Sequence, residues 1–275
     1  MPRNVERFFK KKISSAEDNE LNAMASPSGQ TVSLEVCRTR IKNYAESKVN
    51  VNEYFKGMEL DPNFYKAGVL VPIFIKGGSL HVLLTKRTEH LSTHKGQVAF
   101  PGGKQEEADK DIVATALREA HEEVGLPPDI VEVIAVLRPL ISTAREISTY
   151  VYPVIGMIRS NFDLVVNPSE VQATFDVPLD FFLQKDTHRH KKMTFREVEY
   201  TVHWFDYREN IEGHDEKKSS LFVIWGLTGE ICLKIAITAL SKLPEFELPE
   251  WYSELIHYIQ ELNSEKNSVR VASKV

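Results

Sequence analysis

This sequence of 275 residues has few cysteines, no long apolar run and no excess of positive charge. Its two cysteines, Cys37 and Cys232, stand far apart, so they predict neither a disulfide framework nor a cysteine-based metal site. The apolar runs fall well short of a membrane span, and we expect no secretory signal. A formal net charge of −5 gives no global attraction to nucleic acid. The scarcity of cysteine favours a reducing compartment. Because the net charge is negative, any recognition of phosphate must depend on local groups.

The most informative segment reads R-E-A-H-E-E-V-G-L, at residues 118–126. At about 100° per residue on a helix, Glu119, Glu122 and Glu123 fall within an arc of about 100°. A separate arc is apolar and contains Val113, Ala116, Leu117, Ala120 and Val124. Like charges at this spacing repel each other, whereas Mg²⁺ binds carboxylates together with substrate phosphates. The segment therefore predicts a metal platform on a helix, and a solvated acidic surface is the alternative.

The residues on either side of this segment favour the metal platform. Gly102 and Gly103 precede it, and an acidic turn follows in which Asp109 or Asp111 can cap the helix. Gly125 stands where a left-handed residue ends a helix, with a proline two residues beyond. The sequence thus predicts a short helix with defined ends directly after a tight turn.

This assembly resembles the Nudix box, G-x5-E-x7-R-E-U-x-E-E-x-G-U, in which U is a bulky apolar residue. The positions that match in its second half are Arg118, Glu119, Glu122, Glu123, Gly125 and Leu126. The first half departs, because Lys110 stands where the motif has glutamate and the helix lies one residue farther from Gly103. The resemblance implies an α/β fold, a Nudix-type α/β/α sandwich with a mixed β-sheet, and a pyrophosphohydrolase. A Nudix-fold binding module without turnover is the alternative, and the three clustered carboxylates weigh against it.

A second resemblance, in residues 83–103, is to the signature of the coenzyme A diphosphatase branch, L-L-T-x-R-[SA]-x3-R-x3-G-x3-F-P-G-G. The matching positions are Leu83, Leu84, Thr85, Arg87, Gly96, Phe100, Pro101, Gly102 and Gly103. Thr88 and Ser92 depart from it, and Ser92 replaces an arginine for which His94 or Lys95 could substitute as a point charge. The implied substrate is coenzyme A or acyl-coenzyme A. Another nucleoside diphosphate, such as ADP-ribose or a dinucleotide, is the alternative.

The Nudix resemblance also implies roles for the acidic helix, with Mg²⁺ or Mn²⁺ as the cofactor. Glu119 and Glu123 are the expected metal ligands, because an i,i+4 pair converges best on one ion. Glu122 is a further ligand or the group nearest the attacking water, so Glu119 and Glu122 are both expected to be catalytic. Arg118 is expected to orient these carboxylates and not to contact the substrate.

Other candidate site residues lie outside this helix. Glu170 is a candidate general base, because some Nudix enzymes take that residue from a late loop; a surface residue is the alternative. His90 and His94 could contact a phosphate or transfer a proton, or they could simply be solvated. The residues expected to contact the substrate are Arg87, Gly96, Gly102 and Gly103.

The predicted organisation has four parts: a disordered tail at 1–31, a helical lead-in at 32–66, a Nudix hydrolase domain at 67–243, and a C-terminal helix and tail at 244–275. Apolar spacing predicts helices at 32–49, 225–243 and 250–262. Strands are predicted at 67–76, 80–86, 130–137, 150–158 and 197–207, the first two joined by a Gly-Gly turn.

Both ends of the sequence suggest an address. Ser273, Lys274 and Val275 resemble the peroxisomal tripeptide S-K-L except at the last residue, which predicts binding to a peroxisomal import receptor. The basic first dozen residues could begin a mitochondrial presequence, although Glu6 and later acidic residues argue against a long one. The peroxisome is therefore the predicted compartment, with mitochondrion and cytosol as alternatives.

Overall fold

The computed structural model describes residues 12–13, 33–47, 61–90, 94–144, 147–158, 160, 162–195, 198–209 and 220–272. Most of the predicted tail at 1–31 lies outside these described residues, as do residues 48–60 of the lead-in and Ser273, Lys274 and Val275. The described pair in the tail is strand β1 (Lys12–Ile13), which runs antiparallel to β9 (Phe162–Asp163).

The central sheet is built on the hairpin that the sequence predicted. Strands β2 (Tyr65–Lys76) and β3 (Ser79–Arg87) are joined by Gly77 and Gly78, whose φ angles of 57° and 78° are readily adopted by glycine. The other strands of this sheet are β4 (Val98–Ala99), β5 (Gly102–Lys104), β6 (Val131–Val136), β7 (Leu140–Ala144), β8 (Ile147–Ile158) and β10 (Val171–Pro178). Strand β8 pairs in parallel with β2, whereas the remaining pairs are antiparallel, so the sheet is mixed.

Strand β2 is apolar on both faces, as a strand covered from both sides must be. Leu70 and Phe74 pack in one core with helix α2 (Ile112–Val124). Val71 and Ile73 lie in the other core, which contains residues of α1 (Leu34–Glu46) and α3 (Gly226–Leu240). The layers are therefore α2, the sheet, and α1 with α3, which confirms the predicted α/β/α sandwich.

A smaller antiparallel sheet extends the second core. Its strands are β11 (His188–Phe195), β12 (Val198–Arg208) and β13 (Leu221–Trp225). Phe205 and Phe222, from neighbouring strands, are buried in the larger core beside α3. The last helix, α4 (Ser253–Ala272), follows after α3. In the described part of the chain, no helix combines the length and apolarity that crossing a membrane requires.

Most predicted elements are present, with shifted ends. The predicted helix at 32–49 is α1, and the predicted strands at 130–137, 150–158 and 197–207 are β6, β8 and β12. The predicted start of the helix at 225–243 was wrong, because Trp225 pairs with Trp204 as the end of β13 and α3 begins at Gly226. The thiols of Cys37 and Cys232 are both buried.

Candidate active site

The acidic segment forms the predicted helix α2, and both of its ends are defined by side-chain and backbone geometry. The Asp111 carboxylate accepts a hydrogen bond of 2.8 Å from the Ala114 N–H, which caps the first turn. Gly125 ends the helix with a φ of 69°. The buried residues of its apolar face are Ala116, Ala120 and Val124, with Val113 and Leu117 partly buried beside them. This packing fixes the rotation of α2 and thus the direction of its glutamates.

Arg118 donates hydrogen bonds to the carboxylates of three residues. Its Nε and Nη2 atoms donate to the two oxygens of Asp109, each at 2.9 Å. Its Nη1 atom donates to Glu119 Oε1 and to Glu122 Oε2, both at 3.1 Å. The hydrogen bonds from the guanidinium hold the pKa of Asp109 well below its usual range. Arg118 therefore links the loop before α2 to two of the three glutamates on its acidic face.

Asp109 is a residue of this site that sequence reasoning missed, since the sequence offers it only as a possible helix cap. Its carboxylate also accepts hydrogen bonds from Thr115 Oγ1 at 3.0 Å and from the Glu106 N–H at 2.9 Å. The available signal was its position beside Lys110, which occupies the glutamate position of the Nudix box. In this chain Arg118 pairs with Asp109, one residue before that position.

Glu119 lies against the backbone of β5. Burial raises the pKa of its carboxyl, and the charge of Arg118 opposes that effect. A Cβ atom at Gly103 would overlap the Glu119 carboxylate, so the close approach of the two requires glycine. A Cβ atom at Gly102 would lie 2.6 Å from the Cα of Val69 in β2. Neither position therefore has space for a side chain, and Gly103 lies directly against the Glu119 carboxylate of the acidic face.

Glu123 is the buried member of the cluster, with 1% of its side chain exposed. Its Oε1 atom pairs with Arg87 Nη1 at 3.2 Å, at the end of β3. Its Oε2 atom is buried and has no hydrogen-bond partner. Burial raises the pKa of Glu123 to about 7, against the stabilising charge of Arg87 and with the repulsion of Glu119 and Glu170. Arg87, expected to contact the substrate, here contacts the acidic face.

The loop that carries Glu170 docks on the end of α2. The Asn167 N–H donates to the Glu123 carbonyl at 2.9 Å, and Asn167 Nδ2 donates to Glu170 Oε1 at 3.2 Å. The Thr88 N–H donates to the Glu170 carbonyl at 2.9 Å, which ties the loop to the residue after Arg87. The negative charge of Glu170 raises the pKa of both Glu119 and Glu123. Glu170 therefore lies beside the acidic face, and Asn167 is a positioning residue that the sequence did not reveal.

The substrate loop predicted between β3 and β4 is described at both ends, and its residues 91–93, including Ser92, lie outside the described residues. Gly96 has a φ of 63°, a conformation that favours glycine. His90 is exposed, and His94 is exposed with its Nδ1 atom 2.9 Å from Gln97 Oε1. Gly96 therefore has a conformational reason to be glycine. None of the described hydrogen bonds joins His90 or His94 to the acidic face.

A divalent cation fits this donor set. Among the described residues, no three His, Cys, Asp or Glu side chains are already grouped closely enough to hold a metal ion. The glutamates of α2 instead contact arginines, Glu119 and Glu122 through Arg118 and Glu123 through Arg87. A buried carboxylate oxygen without a partner is costly, and Mg²⁺ or Mn²⁺ prefers such oxygens as ligands. The unpartnered Oε2 of Glu123, beside Glu119, is the observation that supports this fit.

Comparisons with known proteins extend over most of the chain. The model of the NUDIX domain matches residues 64–198. A mitochondrial Nudix hydrolase 15 of Arabidopsis thaliana is 39% identical over 73% of this chain and 68% of its own length. A chloroplastic Nudix hydrolase 22 of the same plant is 41% identical over 66% of this chain, but over only 57% of its own length. A peroxisomal coenzyme A diphosphatase of Mus musculus is 37% identical over 66% of this chain and 74% of its own length.

Proposed function

The chain belongs to the Nudix hydrolase family, and on that premise we propose that it hydrolyses the diphosphate of coenzyme A. The products are 3′,5′-ADP and 4′-phosphopantetheine, and an acyl-coenzyme A gives the acylated phosphopantetheine. Water is the second reactant, so the reaction breaks one P–O bond of the diphosphate and forms another. The family makes the chain a pyrophosphohydrolase, and the choice of coenzyme A is the proposal.

The observation that carries this choice is the segment at residues 83–103, which resembles the coenzyme A diphosphatase signature and leads directly into the acidic site. Within this segment Arg87 contacts Glu123, and Gly103, at its end, lies against the Glu119 carboxylate. The peroxisomal coenzyme A diphosphatase among the relatives supports the same substrate. The two plant relatives, whose names state no substrate, leave ADP-ribose and dinucleotides as the alternatives.

The residues proposed to hold Mg²⁺ or Mn²⁺ are Glu119, Glu122 and Glu123. When bound, such a cation supplies charge neutralisation at the phosphate oxygens and a lower pKa for a bound water. Arg118 keeps Glu119 and Glu122 in place through its bidentate contact with Asp109. Gly102 and Gly103 are the proposed backbone contacts to the diphosphate beside Glu119, since neither residue carries a side chain.

Glu170 is the proposed acceptor of the proton that the attacking water loses. It lies beside Glu119 and Glu123, on a loop that Asn167 holds against the end of α2. A general base has to lie within reach of the proton that it takes, and this loop brings a carboxylate to the edge of the acidic face. Arg87 is the proposed contact to the diphosphate, because a guanidinium can bind phosphate oxygens in a charge-assisted way.

A substrate panel tests this proposal. Purified protein is incubated with Mg²⁺ and, separately, with coenzyme A, an acyl-coenzyme A, ADP-ribose and NADH, and the products are identified by mass. We expect the highest kcat/KM for coenzyme A or its acyl ester, with 3′,5′-ADP as a product. Preferred hydrolysis of ADP-ribose or NADH would assign the chain to another nucleoside diphosphate.

The proposed compartment is the peroxisome, reached through Ser273, Lys274 and Val275 and an import receptor. The relatives are named for peroxisome, mitochondrion and chloroplast, so the supporting observation is the tripeptide itself. A fluorescent protein fused to the N-terminus should give puncta that overlap a peroxisomal marker and become diffuse when these three residues are deleted. Mitochondrial or diffuse signal from the intact fusion would contradict this address.

A further inference from the structure

Arg87 and Glu123 form an incomplete buried ion pair. The pair has a single short contact, Nη1 to Oε1 at 3.2 Å, although a guanidinium and a carboxylate can form two. Arg87 Nε and Glu123 Oε2 are both buried, and neither has a hydrogen-bond partner. The exposed fractions are 19% for the Arg87 side chain and 1% for Glu123. Each partner therefore keeps a polar atom that water does not reach and the other partner does not satisfy.

The surroundings of Glu123 give it one cation and two anions. Glu119 and Glu170 both act on it with like charge, and Arg87 is the opposing charge. The other arginine of the site, Arg118, has its described contacts with Asp109, Glu106, Glu119, Glu122 and the Lys104 carbonyl. Within the described residues, Arg87 is thus the cation that neutralises the buried end of the acidic face, while Arg118 neutralises its outer end.

A divalent cation on Glu123 would compete with this arginine. A guanidinium and a metal ion on the same buried carboxylate repel each other, and the repulsion is strong where water is excluded. The oxygen that lacks a partner is available to the metal, whereas the nitrogens of Arg87 require an acceptor. A substrate diphosphate provides such acceptors next to the same carboxylate. The unsatisfied atoms on the two sides of the pair are therefore complementary to the two ligands of the proposed reaction.

We infer that Arg87 is an exchangeable counter-ion, which leaves Glu123 for the diphosphate of the substrate when a divalent cation binds to Glu123. This inference rests on the proposed function and adds a coupling to it. Because the two binding events are linked through one arginine, each should strengthen the other by the same factor. The consequence is that Arg87 weakens metal binding in the absence of substrate and strengthens substrate binding in the presence of metal.

The first test measures metal binding without turnover. The Kd for Mn²⁺ is obtained from the EPR signal of the free ion at pH 8, for the wild type, for Arg87→Met and for Arg189→Met. Arg189 is the matched control, since it pairs with Asp206 on β12, outside the acidic site. We expect Arg87→Met to bind Mn²⁺ at least about threefold more tightly and Arg189→Met to match the wild type. An unchanged or weaker affinity in Arg87→Met would overturn the inference.

The second test frees Arg87 without metal. In EDTA, binding of coenzyme A and of ADP-ribose is measured calorimetrically for Glu123→Gln, for Glu119→Gln and for the double variant Glu123→Gln with Arg87→Met. Glu119→Gln is the control, because it removes the same charge from the same helix face but at a residue that pairs with Arg118 and not with Arg87. We expect Glu123→Gln to bind these diphosphates at least about threefold more tightly than Glu119→Gln, and the double variant to lose that gain. Equal affinities in the two single variants would contradict the exchange.

Different results would overturn the proposed function and the exchange of Arg87. A wild-type protein that binds no Mn²⁺ would overturn the metal-dependent function proposed above. A wild-type protein that binds Mn²⁺ and hydrolyses coenzyme A, but whose Arg87 and Glu123 variants show no such changes in affinity, would overturn only the exchange of Arg87. The Glu123→Gln arm needs no change at Arg87, so the inference stays testable if Arg87→Met does not fold.

Discussion

Asp109 and Arg118 form a bidentate ion pair, with Nε to Oδ1 and Nη2 to Oδ2 both at 2.9 Å, and this pair connects the loop after β5 to the acidic face of α2. The remaining nitrogen of the guanidinium binds Glu119 and Glu122. The described side-chain contacts of Asp109 are with Arg118, Thr115 and the Glu106 N–H, so we propose that Asp109 acts on the site through Arg118, as a positioning residue.

Asp109→Asn should lower kcat by about tenfold, because a neutral amide binds a guanidinium less strongly and lets Arg118, Glu119 and Glu122 move. The matched control is Asp111→Asn, which removes the same charge two residues away while asparagine retains the helix cap. Steady-state kinetics with coenzyme A should show the loss in kcat for Asp109→Asn alone. Similar kcat values for the two variants would mean that Asp109 has no specific role.

Gly103→Ala should lower activity by about 10²-fold, the scale of losing one fixed electrostatic group at a site. The added methyl group would overlap the Glu119 carboxylate, so Glu119 would have to leave its position. Gly77→Asn is the control, because Gly77 has open space around it and asparagine tolerates its positive φ. Circular dichroism should show both variants folded, and an active Gly103→Ala enzyme would contradict the close contact.

Ser92→Arg should raise the preference for coenzyme A over ADP-ribose, measured as the ratio of the two kcat/KM values. It restores the arginine of the coenzyme A diphosphatase signature, and a hydrogen bond to a charged phosphate is worth about 1.5–3 kcal/mol. Thr93→Arg, which places the same charge one residue away, is the control. An unchanged ratio in Ser92→Arg would mean that this loop holds only the diphosphate common to both substrates.

Acidification should destabilise the smaller sheet through His188 and His203, whose rings share a hydrogen bond of 2.8 Å next to Glu230 and Lys234 of α3. Burial lowers the pKa of His188 to about 4 and also lowers that of His203. Since the unfolded chain binds more protons below about pH 6.5, stability should fall between pH 6.5 and 4, by about 1–2 kcal/mol after screening by solvent.

Thermal unfolding of His188→Phe across this pH range checks that expectation. Phenylalanine keeps the stacking of the His188 ring on Phe246, at a centroid distance of 3.5 Å, and removes the titrating group. His257→Gln, a change at an exposed histidine of α4, is the control. The Tm of His188→Phe should fall less on acidification than that of the control, and equal slopes would exclude the buried pair as the cause.

The parts of the fold that the sequence predicted are those governed by local chemistry. The Gly77-Gly78 turn, the Asp111 cap and the Gly125 end of α2 depend on residues close in sequence. Strand β10 was not predicted, because its burial comes from pairing with the distant strand β3. The end of β13 at Trp225 likewise depends on its pairing with Trp204, which outweighs the helical spacing of the residues that follow.

The same distinction applies to the site. The spacing of Glu119, Glu122 and Glu123 is a property of one helix, and the sequence therefore indicated it. The contact between Arg87 and Glu123 joins β3 to α2 across 36 residues, and the contact of Asn167 with Glu170 matters only because their loop docks on α2. Such contacts are set by packing and not by spacing, so a single sequence does not reveal them.

The most direct test of the central claim is the rate at which Mg²⁺ and the protein release 3′,5′-ADP from coenzyme A, compared between the wild type and Glu119→Gln. We expect rapid release by the wild type, none in excess EDTA, and at least about a 10²-fold lower kcat in Glu119→Gln with the fold intact. Undiminished release by Glu119→Gln or in EDTA would contradict the metal-dependent role of the acidic face.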